Sequence, residues 1–340
     1  MPKINALVAG ATGYIGIQLV KLLTKHKRVK IKYLCGESSV GKKISSYDKY
    51  FDNYKLPNII KFNKELLKNV DVVFTALPNG EAQKISKDLQ NKNILIDLAA
   101  DFRLKTSSDY LKWYKIKHNA PKLIKQSIYS LPELNNKSIK KYKIISCPGC
   151  YPTSILLPLV PLINKNIVKS NNIIIDSKSG YSGAGRIIHK KYSDKFLNET
   201  LSAYGLAFHR HNSEIEQELK IKTGKKVKFQ FTPHLSPMFR GILTTMYLDL
   251  KKNDSLKKIY SFLKKYYKNN KFIKILKPNT FLGTNEVINT NNCYISVCES
   301  KYKNKIIILS AIDNLIKGGS GQAVQNMNIL FGYKSDDGLN

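Results

Sequence analysis

The sequence predicts an α/β protein of two domains, on the strength of three observations. The chain has 340 residues, which is longer than a single compact core usually becomes. Its first half alternates short apolar strands with stretches of helical periodicity, as is typical of a parallel sheet covered by helices on both faces. After Cys150 the predicted strands become longer, which favours an antiparallel sheet with helices on one side.

The predicted elements begin with a βαβ unit. Residues 4–9 form an apolar strand, 10–16 a glycine-rich loop, 18–23 a helix and 29–34 a second strand. The alternation continues with a strand at 70–76, a helix at 81–90, and strands at 93–98 and 142–146. In the second half we expect strands at 172–178, 226–231, 241–250, 293–299 and 305–311.

The chain is strongly basic, with a formal net charge of +33. Clustered lysines and arginines would indicate a nucleic-acid partner, but here they stand singly or in pairs along the whole chain. We therefore interpret the charge as a solvated surface and expect no nucleic-acid partner. No signal peptide precedes Lys3 and no apolar run is long enough for a membrane span. We expect a cytoplasmic protein that does not bind membranes.

The glycine loop is the first chemical motif. Gly10, Gly13 and Gly16 follow a buried strand and open a helix, where glycines permit a tight turn and close approach of the backbone to a pyrophosphate. The loop therefore predicts a dinucleotide site. Its GxxGxxG spacing is similar to the extended loop of NADP-linked dehydrogenases.

The end of the second predicted strand would contact the ribose of the dinucleotide. Glu37 would suit the 2′-hydroxyl of NAD, whereas Ser38, Ser39 and Lys42 would suit the 2′-phosphate of NADP. Both types of side chain are present, so these residues leave the choice between NAD and NADP open.

Two cysteines, Cys147 and Cys150, flank a Pro-Gly turn. A zinc site would need a second close pair of ligands, and the cysteines at 35, 293 and 298 do not form one. We expect no metal, and the odd number of five cysteines argues against a disulfide framework. Cys150 opens a predicted helix whose dipole would stabilise a thiolate, so we expect it to be the nucleophile and Cys147 to be a buried neighbour.

These motifs resemble those of one family from one end of the chain to the other. The residues that carry the resemblance are 10–16 (GATGYIG), 74–80 (FTALPNG), 96–104 (IDLAADFRL), 131–135 (LPELN), 145–153 (ISCPGCYPT), 179–186 (SGYSGAGR), 209–217 (HRHNSEIEQ), 233–241 (PHLSPMFRG) and 313–326 (DNLIKGGSGQAVQN). On them the chain is identified as a member of the N-acetyl-γ-glutamyl-phosphate reductases, which belong with the aspartate-semialdehyde dehydrogenases.

The resemblance implies the fold, the domains and the reaction. It implies a Rossmann-type dinucleotide-binding domain, residues 1–149 and 312–340, and an α+β catalytic and dimerisation domain of the glyceraldehyde-3-phosphate dehydrogenase-like type, residues 150–311. The expected reaction is the NADPH-dependent reduction of N-acetyl-γ-glutamyl phosphate to its semialdehyde, with release of phosphate, through a thioester on Cys150. A homodimer or homotetramer is expected, with the edge of the second sheet as its interface.

Two histidines are candidates for the general acid and base. His209 and His211 flank Arg210, ahead of the capping-box pattern Ser213–Glu216. We favour His211, keep His209 as the alternative, and expect Glu214 to orient one of them.

The resemblance also implies further contacts. The substrate anions would be bound by Arg103, Arg186, Arg210 and Arg240. The loop that holds Glu37, Ser38, Ser39 and Lys42 is called the ribose loop. Cofactor contacts besides the glycines and this loop would come from Thr12, Tyr14, Ile15, Pro78, Ser182, Gly183, Asn314 and Lys317.

Three other functions stay open. The chain could reduce a related acyl phosphate, either aspartyl phosphate or a carrier-linked α-aminoadipyl phosphate. It could be a nucleic-acid-binding module with a steep salt dependence, or an inactive sensor that binds NADP while Cys150 stays unreactive.

Overall fold

The structure is a computed structural model, and it describes residues 3–135, 139–186, 188–252 and 254–339. The side chains of Asn135 and Lys190 are not part of that description. The chain divides into two compact units, Met1–Pro148 with Gly319–Asn340, and Gly149–Gly318. The first boundary falls beside the predicted one. The second falls at Gly318, seven residues after the predicted end at 311, so that residues 312–318 belong to the second unit.

The first unit is built on a parallel sheet. Among the described residues it has seven strands, in the order β3-β2-β1-β4-β5-β7-β6. They are β1 (Ile4–Ala9), β2 (Val29–Cys35), β3 (Ile59–Ile60), β4 (Val72–Thr75), β5 (Ile94–Asp97), β6 (Ser127–Tyr129) and β7 (Ile144–Ser146). Every pair in this sheet is parallel, which confirms the predicted α/β class. The helices of this unit are α1 (Tyr14–Lys25), α2 (Glu81–Lys87), α3 (Ser107–Tyr114), α4 (Pro132–Asn135) and, from the end of the chain, α10 (Gly321–Leu330).

The second unit is built on a mixed sheet, in the order β12-β13-β14-β11-β8-β10-β9. Its strands are β8 (Ile173–Gly180), β9 (Ser202–Ala203), β10 (Phe229–Ser236), β11 (Ile242–Asp249), β12 (Ile273–Ile275), β13 (Cys293–Glu299) and β14 (Lys305–Ile312). Its helices are α5 (Cys150–Asn164), α6 (Ile188–Lys191), α7 (Asp194–Glu199), α8 (His211–Thr223) and α9 (Leu256–Tyr266).

The expectation of a purely antiparallel second sheet is wrong in two places. β8 pairs in parallel with β10, and β12 pairs in parallel with β13. The chain between β8 and β10 passes through three helices, a connection long enough for the crossover that a parallel pair requires. The predicted strand at 226–231 also starts later, at Phe229, and runs on to Ser236.

Helix α5 is the centre of the second unit. Residues 151–163 are all buried, and α8, α9 and the strands β11 and β14 pack around the helix. A helix that is apolar on all sides is stable only when it is enclosed in this way. Its first residue, Cys150, is half-buried, so the thiol is held at the rim of a rigid core.

Candidate active site

The glycine loop of the first unit needs two of its glycines for its own packing. Gly10 has a φ of +82°, and a Cβ at this position would lie 2.2 Å from the carbonyl oxygen of Ala76. A Cβ on Gly16 would lie 2.1 Å from the carbonyl oxygen of Gly10. Both positions therefore exclude any side chain.

Gly13 differs, because the protein itself does not crowd it. It is the N-cap of α1 and has an ordinary extended conformation, and the nearest atom to a Cβ here, the carbonyl oxygen of Gly10, would be 3.7 Å away. The first turn of α1 carries no acidic residue, so its N–H groups are electrostatically suited to an anion. An open cradle at the start of this helix fits the pyrophosphate of a dinucleotide.

The other predicted contacts of the loop lie around this cradle. Thr12 belongs to the turn, and Tyr14 and Ile15 are the first residues of α1, all three half-buried. Pro78 is exposed in the turn before α2, where Gly80 donates its N–H to Asp101 Oδ1 at 2.7 Å.

The ribose loop follows β2 and is tied to β3. Gly41 donates its backbone N–H to the carbonyl of Ile59, and the N–H of Ile59 donates to the carbonyl of Lys42. Ser38 and Lys42 are exposed. Ser39 is 1% exposed, and among the described residues its hydroxyl has no hydrogen-bond partner.

Glu37 lies in the same loop and forms a loose ion pair. Its Oε2 lies 3.6 Å from Lys61 Nζ, and both side chains are largely exposed. The loop therefore holds the Ser39 hydroxyl, which has no partner in the part of the chain that the structure describes, and the exposed Lys42 and Glu37. These groups fit an adenosine ribose or its 2′-phosphate.

Cys150 is the first residue of α5, as predicted. Gly149 is the N-cap, with an extended backbone and no capping side chain. The thiol therefore lies at the positive end of a 15-residue helix, where a thiolate is favoured.

His211 is the imidazole that lies against this turn. A Cβ built on Gly149 would be 2.4 Å from His211 Nε2, so the ring occupies the space that a side chain at Gly149 would fill. His211 is the first residue of α8, and its backbone N–H donates to His209 Nδ1 at 3.2 Å.

His209 has a different environment, a cage of aromatic rings. Its ring centroid lies 5.4 to 5.6 Å from those of Tyr151, Tyr204 and Phe231, with the rings edge-on. Burial, and then the charge of Arg210, lowers the pKa of His209 to about 4. His209 is therefore neutral near pH 7 and a weak base.

The predicted capping box at 213–216 is wrong. Helix α8 starts three residues earlier than this pattern implies, with Arg210 in place of Ser213 as the N-cap, and Ser213 Oγ donates to the carbonyl of Arg210 from inside the first turn. Entry of the chain into the helix at His211 is what turns this ring toward Gly149.

Glu214 lies one helical turn after His211 and is completely buried. Its Oε1 accepts the backbone N–H of Gly149 at 2.6 Å. The carboxylate thus joins α8 to the N-cap of α5, and both partners of this bond lie beside the predicted nucleophile.

Cys147 belongs to the first unit and is 1% exposed. Burial, and then the charge of Asp97, raises the pKa of its thiol to about 12. Asn326 Nδ2 lies 3.8 Å from its sulfur. A thiol in this environment stays protonated and is a poor nucleophile, as the sequence predicts.

Arg103 is buried and bonded to the backbone around Cys147. Its Nε donates to the carbonyl of Cys147 at 2.9 Å, and one terminal nitrogen donates to the carbonyl of Leu98 at 3.3 Å. The guanidinium thus stabilises the end of β7 directly before the Pro-Gly turn.

The structure brings three predicted cofactor residues of the second unit together. Asn314 Nδ2 donates to Ser182 Oγ at 3.0 Å, and a Cβ on Gly183 would lie 3.5 Å from the same nitrogen. Lys317, also predicted, is fully buried, with its Nζ 5.4 Å from the centre of the Phe272 ring.

The remaining predicted arginines have three different environments. Arg186 is exposed in a turn. Arg210 is exposed and lines the same cavity as Cys150. Arg240 is bound within the protein, with its NH2 at 2.8 Å from Asp313 Oδ2.

A cavity of about 770 Å³ opens in front of the cysteine. It is lined by Cys150, both histidines and Arg210, and also by residues that sequence analysis missed, namely Lys191, Tyr192 and the pair Tyr151 and Tyr204. The hydroxyl groups of Tyr151 and Tyr204 are 3.1 Å apart. Tyr151 directly follows the cysteine, so the signature itself was the signal for it. Lys191 ends α6, Tyr192 and Tyr204 lie outside the helices and strands, and no sequence motif marks any of these three residues.

The described part of the chain has neither a helix suited to crossing a membrane nor a cluster of side chains suited to a metal ion. No helix there has the length and apolar character that a bilayer-spanning helix requires. In the same part of the chain, no group of three His, Cys, Asp or Glu side chains is arranged to hold a metal ion.

Family models match both halves of the chain. The model described as semialdehyde dehydrogenase, NAD binding domain, matches residues 5–142, and the model described as semialdehyde dehydrogenase, dimerisation domain, matches residues 150–314.

Curated relatives match nearly the full length. The N-acetyl-gamma-glutamyl-phosphate reductase of Thermoanaerobacter pseudethanolicus is 44% identical over 337 residues, which cover 98% of this chain and 96% of the relative. The protein of the same name from Vesicomyosocius okutanii is 43% identical over 333 residues, with the same coverage.

Solved structures share the fold at low sequence identity. Aspartate semialdehyde dehydrogenase II of Vibrio cholerae, complexed with ASA, aligns with a TM-score of 0.72 at 17% identity, covering 98% of this chain and 99% of that one. Aspartate semialdehyde dehydrogenase with NADP from Candida albicans aligns with a TM-score of 0.70 at 18% identity, covering 96% and 98%.

Proposed function

This chain belongs to the semialdehyde dehydrogenase family and, within it, to the N-acetyl-gamma-glutamyl-phosphate reductases, and from that membership we propose its reaction. It reduces N-acetyl-γ-glutamyl phosphate to N-acetylglutamate semialdehyde with NADPH and releases inorganic phosphate, a step of arginine biosynthesis. The observation that carries this proposal is the arrangement of Cys150 and His211, a thiol on the first residue of α5 and an imidazole against the preceding glycine.

Cys150 is the nucleophile. Its thiolate attacks the acyl carbon of the substrate, the bond to the phosphate oxygen breaks, and phosphate leaves with the electron pair, so that a thioester remains on the sulfur. The helix N-terminus stabilises the thiolate before attack. Cys147 takes no part, because its buried thiol stays protonated.

His211 is the general acid and base. Its Nε2 faces the turn that carries Cys150, and it takes the thiol proton before attack and supplies a proton to the hemithioacetal oxygen later. His209 is the weaker candidate, because burial and Arg210 hold its pKa at about 4. We assign it the role of orienting His211 through the bond between His209 Nδ1 and the backbone N–H of His211.

The backbone at the start of α5 supports the oxyanion of the tetrahedral intermediates. The N–H of Gly149 is bound to Glu214, and Pro152 has no N–H to offer. The candidate donors at this turn are therefore the N–H groups of Cys150 and Tyr151. Glu214 positions the turn from which they project.

The first unit holds the dinucleotide. Gly13 and the first turn of α1 would bind the pyrophosphate, and the loop with Ser38, Ser39 and Lys42 would bind the ribose with its 2′-phosphate. When bound, a nicotinamide cofactor supplies the hydride that reduces the thioester to the aldehyde level. In the second unit, the cluster of Ser182, Gly183 and Asn314 is a candidate contact for the cofactor amide, and Lys317 stays a prediction.

We further propose that the cofactor site prefers NADP to NAD. It is supported by the Ser39 hydroxyl, which lacks a partner within the described residues, and by the exposed Lys42 nearby. Lys42→Glu should raise the KM for NADP⁺ and leave that for NAD⁺ almost unchanged, because only NADP carries the extra phosphate. Lys43→Glu changes the charge one residue away and serves as the matched control.

The substrate anions need cations near Cys150. Arg210 and Lys191 line its cavity and are the cations that we propose for the carboxylate and phosphate. Arg186 and Arg103 stay predictions for the same role. Arg240 is less suitable, because its guanidinium is bound to Asp313.

The decisive assay runs in reverse, with N-acetylglutamate semialdehyde, phosphate and NADP⁺, and follows NADPH absorbance. We expect turnover with this aldehyde and little with aspartate semialdehyde. The opposite preference would assign the chain to aspartyl phosphate, and turnover that needs a carrier-linked aminoadipate semialdehyde would assign it to lysine synthesis. Turnover with none of them would refute the proposed reaction.

We also propose that the protein is a homodimer or homotetramer. The matched family model of the second unit is a dimerisation domain, and two apolar side chains on the middle strands of its sheet, Ile174 and Tyr247, are 48% and 44% exposed. These residues are cross-strand neighbours, which favours the face of this sheet, rather than the edge expected from the sequence, as the contact surface. Light scattering after gel filtration gives the state directly, and an Ile174→Lys variant should shift it toward monomer.

A further inference from the structure

A buried ion pair joins the connection between β10 and β11 to the segment that follows β14. Asp313 is fully buried, and the side chain of its partner Arg240 is 15% exposed. Arg240 NH1 also donates to Asn289 Oδ1 at 2.7 Å. The planar guanidinium thus contacts two acceptors from two different segments.

Asp313 is in turn bound to backbone on both of its oxygens. Oδ2 accepts the N–H of Asn289 at 2.7 Å, and Oδ1 accepts those of Leu315 and Ile316 at 2.8 and 3.1 Å. A carboxylate without solvent needs such partners, because an uncompensated buried charge is strongly unfavourable. The backbone after β14 is therefore held by Asp313, and Asp313 by Arg240.

We call residues 313–318 the strap. The strap contacts the candidate active site at two points. At one end, Asn314 Oδ1 accepts the N–H of Gly241 at 2.6 Å while its amide donates to Ser182. At the other end, Gly318 packs on the nucleophile: a Cβ here would lie 2.7 Å from the Cβ of Cys150. Gly318 lies in a π-helical turn, Ile316–Ser320, a form of backbone that is frequent at functional sites.

We propose that Arg240 and Asp313 are a positioning pair that holds the strap, so that Gly318 lies against Cys150 and the Asn314 amide lies against Ser182. Neither residue touches the substrate in this assignment. It goes beyond the proposed reaction, and only its kinetic readout depends on that reaction.

The test uses two conservative variants of the full chain. Arg240→Lys keeps the charge but loses the fork that reaches both Asp313 and Asn289, and Asp313→Asn keeps the shape but loses the charge. We expect each to lower kcat by about 10²-fold, the scale of a displacement of roughly 1 Å at a reacting group, while the KM values stay within about twofold. The double variant should be no slower than the slower single variant, because both act on one interaction.

A second readout reports on the strap directly. Iodoacetamide should label Cys150 faster in both variants than in the wild type, because Gly318 no longer covers its Cβ. Mass spectrometry gives the rate, and thermal unfolding shows that the variants are folded. Asp249→Asn is the control: it removes an ion pair with Lys305 at the far end of β11 and should keep wild-type kcat and labelling.

Two outcomes would overturn the proposal. If Arg240→Lys raises the KM for phosphate or aldehyde while Asp313→Asn changes neither kinetics nor labelling, then Arg240 binds substrate. If both variants keep wild-type kcat and labelling, the pair positions nothing. Labelling does not depend on the identity of the aldehyde, so failure of the proposed reaction would leave this readout intact.

Discussion

His211 and Gly149 share one space: the imidazole Nε2 lies 2.4 Å from where a Cβ of Gly149 would stand. The backbone of Gly149, with φ −66° and ψ 158°, has a conformation that any residue can adopt. Glycine is therefore required here by the contact with the His211 ring of α8, and not by backbone strain. The N-cap of the nucleophile's helix and the candidate base are thus fitted to each other.

Gly149→Ala should therefore lower kcat by about 10²-fold, because the new methyl group displaces the imidazole by about an ångström. Reverse-reaction kinetics measure this directly. Gly224→Ala is the control, since it strains the other end of α8, where φ is +66°, and should cost stability but leave kcat unchanged. Equal kcat losses in both variants would argue against a specific fit at Gly149.

The two histidines should respond differently to substitution. His211→Gln should lower kcat by about 10²- to 10⁴-fold, the usual contribution of a general acid and base. His209→Phe should keep the pH profile of kcat, because a ring whose pKa is about 4 does not titrate near neutrality. A profile that changes with His209→Phe alone would reverse the assignment.

Acid stability offers an independent test of the environment of His209. Its pKa is lowered from the ordinary value of 6.5 to about 4, so between these pH values the unfolded chain binds more protons and the folded state loses stability as pH falls. Each pH unit in this window costs roughly 1.4 kcal/mol. In urea unfolding, the free energy of the wild type should fall more between pH 6.5 and 4.5 than that of His209→Phe. An identical fall in both would refute the burial of this ring.

The two cysteines that flank the Pro-Gly turn should differ in reactivity. Iodoacetamide at neutral pH should label Cys150 and leave Cys147 unmodified, because burial raises the pKa of the Cys147 thiol to about 12. Cys150→Ser should abolish turnover, whereas Cys147→Ala should retain kcat and lose roughly 1–2 kcal/mol of unfolding free energy from a small cavity. Wild-type turnover in Cys150→Ser would rule out the thioester route, and labelling at Cys147 would contradict its burial.

The three glycines of the dinucleotide loop should differ in what a substitution by alanine affects, folding stability or cofactor affinity. Gly10→Ala and Gly16→Ala meet backbone oxygens at 2.2 and 2.1 Å and should lower the melting temperature. Gly13→Ala meets nothing of the protein closer than 3.7 Å and should fold normally, yet raise the Kd for NADP⁺ because the methyl group enters the pyrophosphate cradle. A Gly13→Ala protein with wild-type cofactor affinity would place the dinucleotide elsewhere.

Local patterns in the chain predicted the elements that depend on consecutive residues. The strand, glycine loop and helix at 4–25 and the cysteine at the start of α5 all follow from short stretches with their own periodicity or turn chemistry. The α/β class follows too, because alternating strands and helices allow few other arrangements. The mixed second sheet did not, because strand direction there depends on the course of a long crossover.

Contacts between distant residues decided the rest. The signature around Cys150 and the pair of histidines are properties of the amino-acid sequence, and they limited the candidate base to two rings. Which ring faces the cysteine, which carboxylate binds Gly149 and which arginine pairs with Asp313 depend on partners that are more than 60 residues apart in the chain. Side chains so far apart in the chain meet only when the core packs, and packing determines both their distances and the pKa that separates His209 from an ordinary histidine.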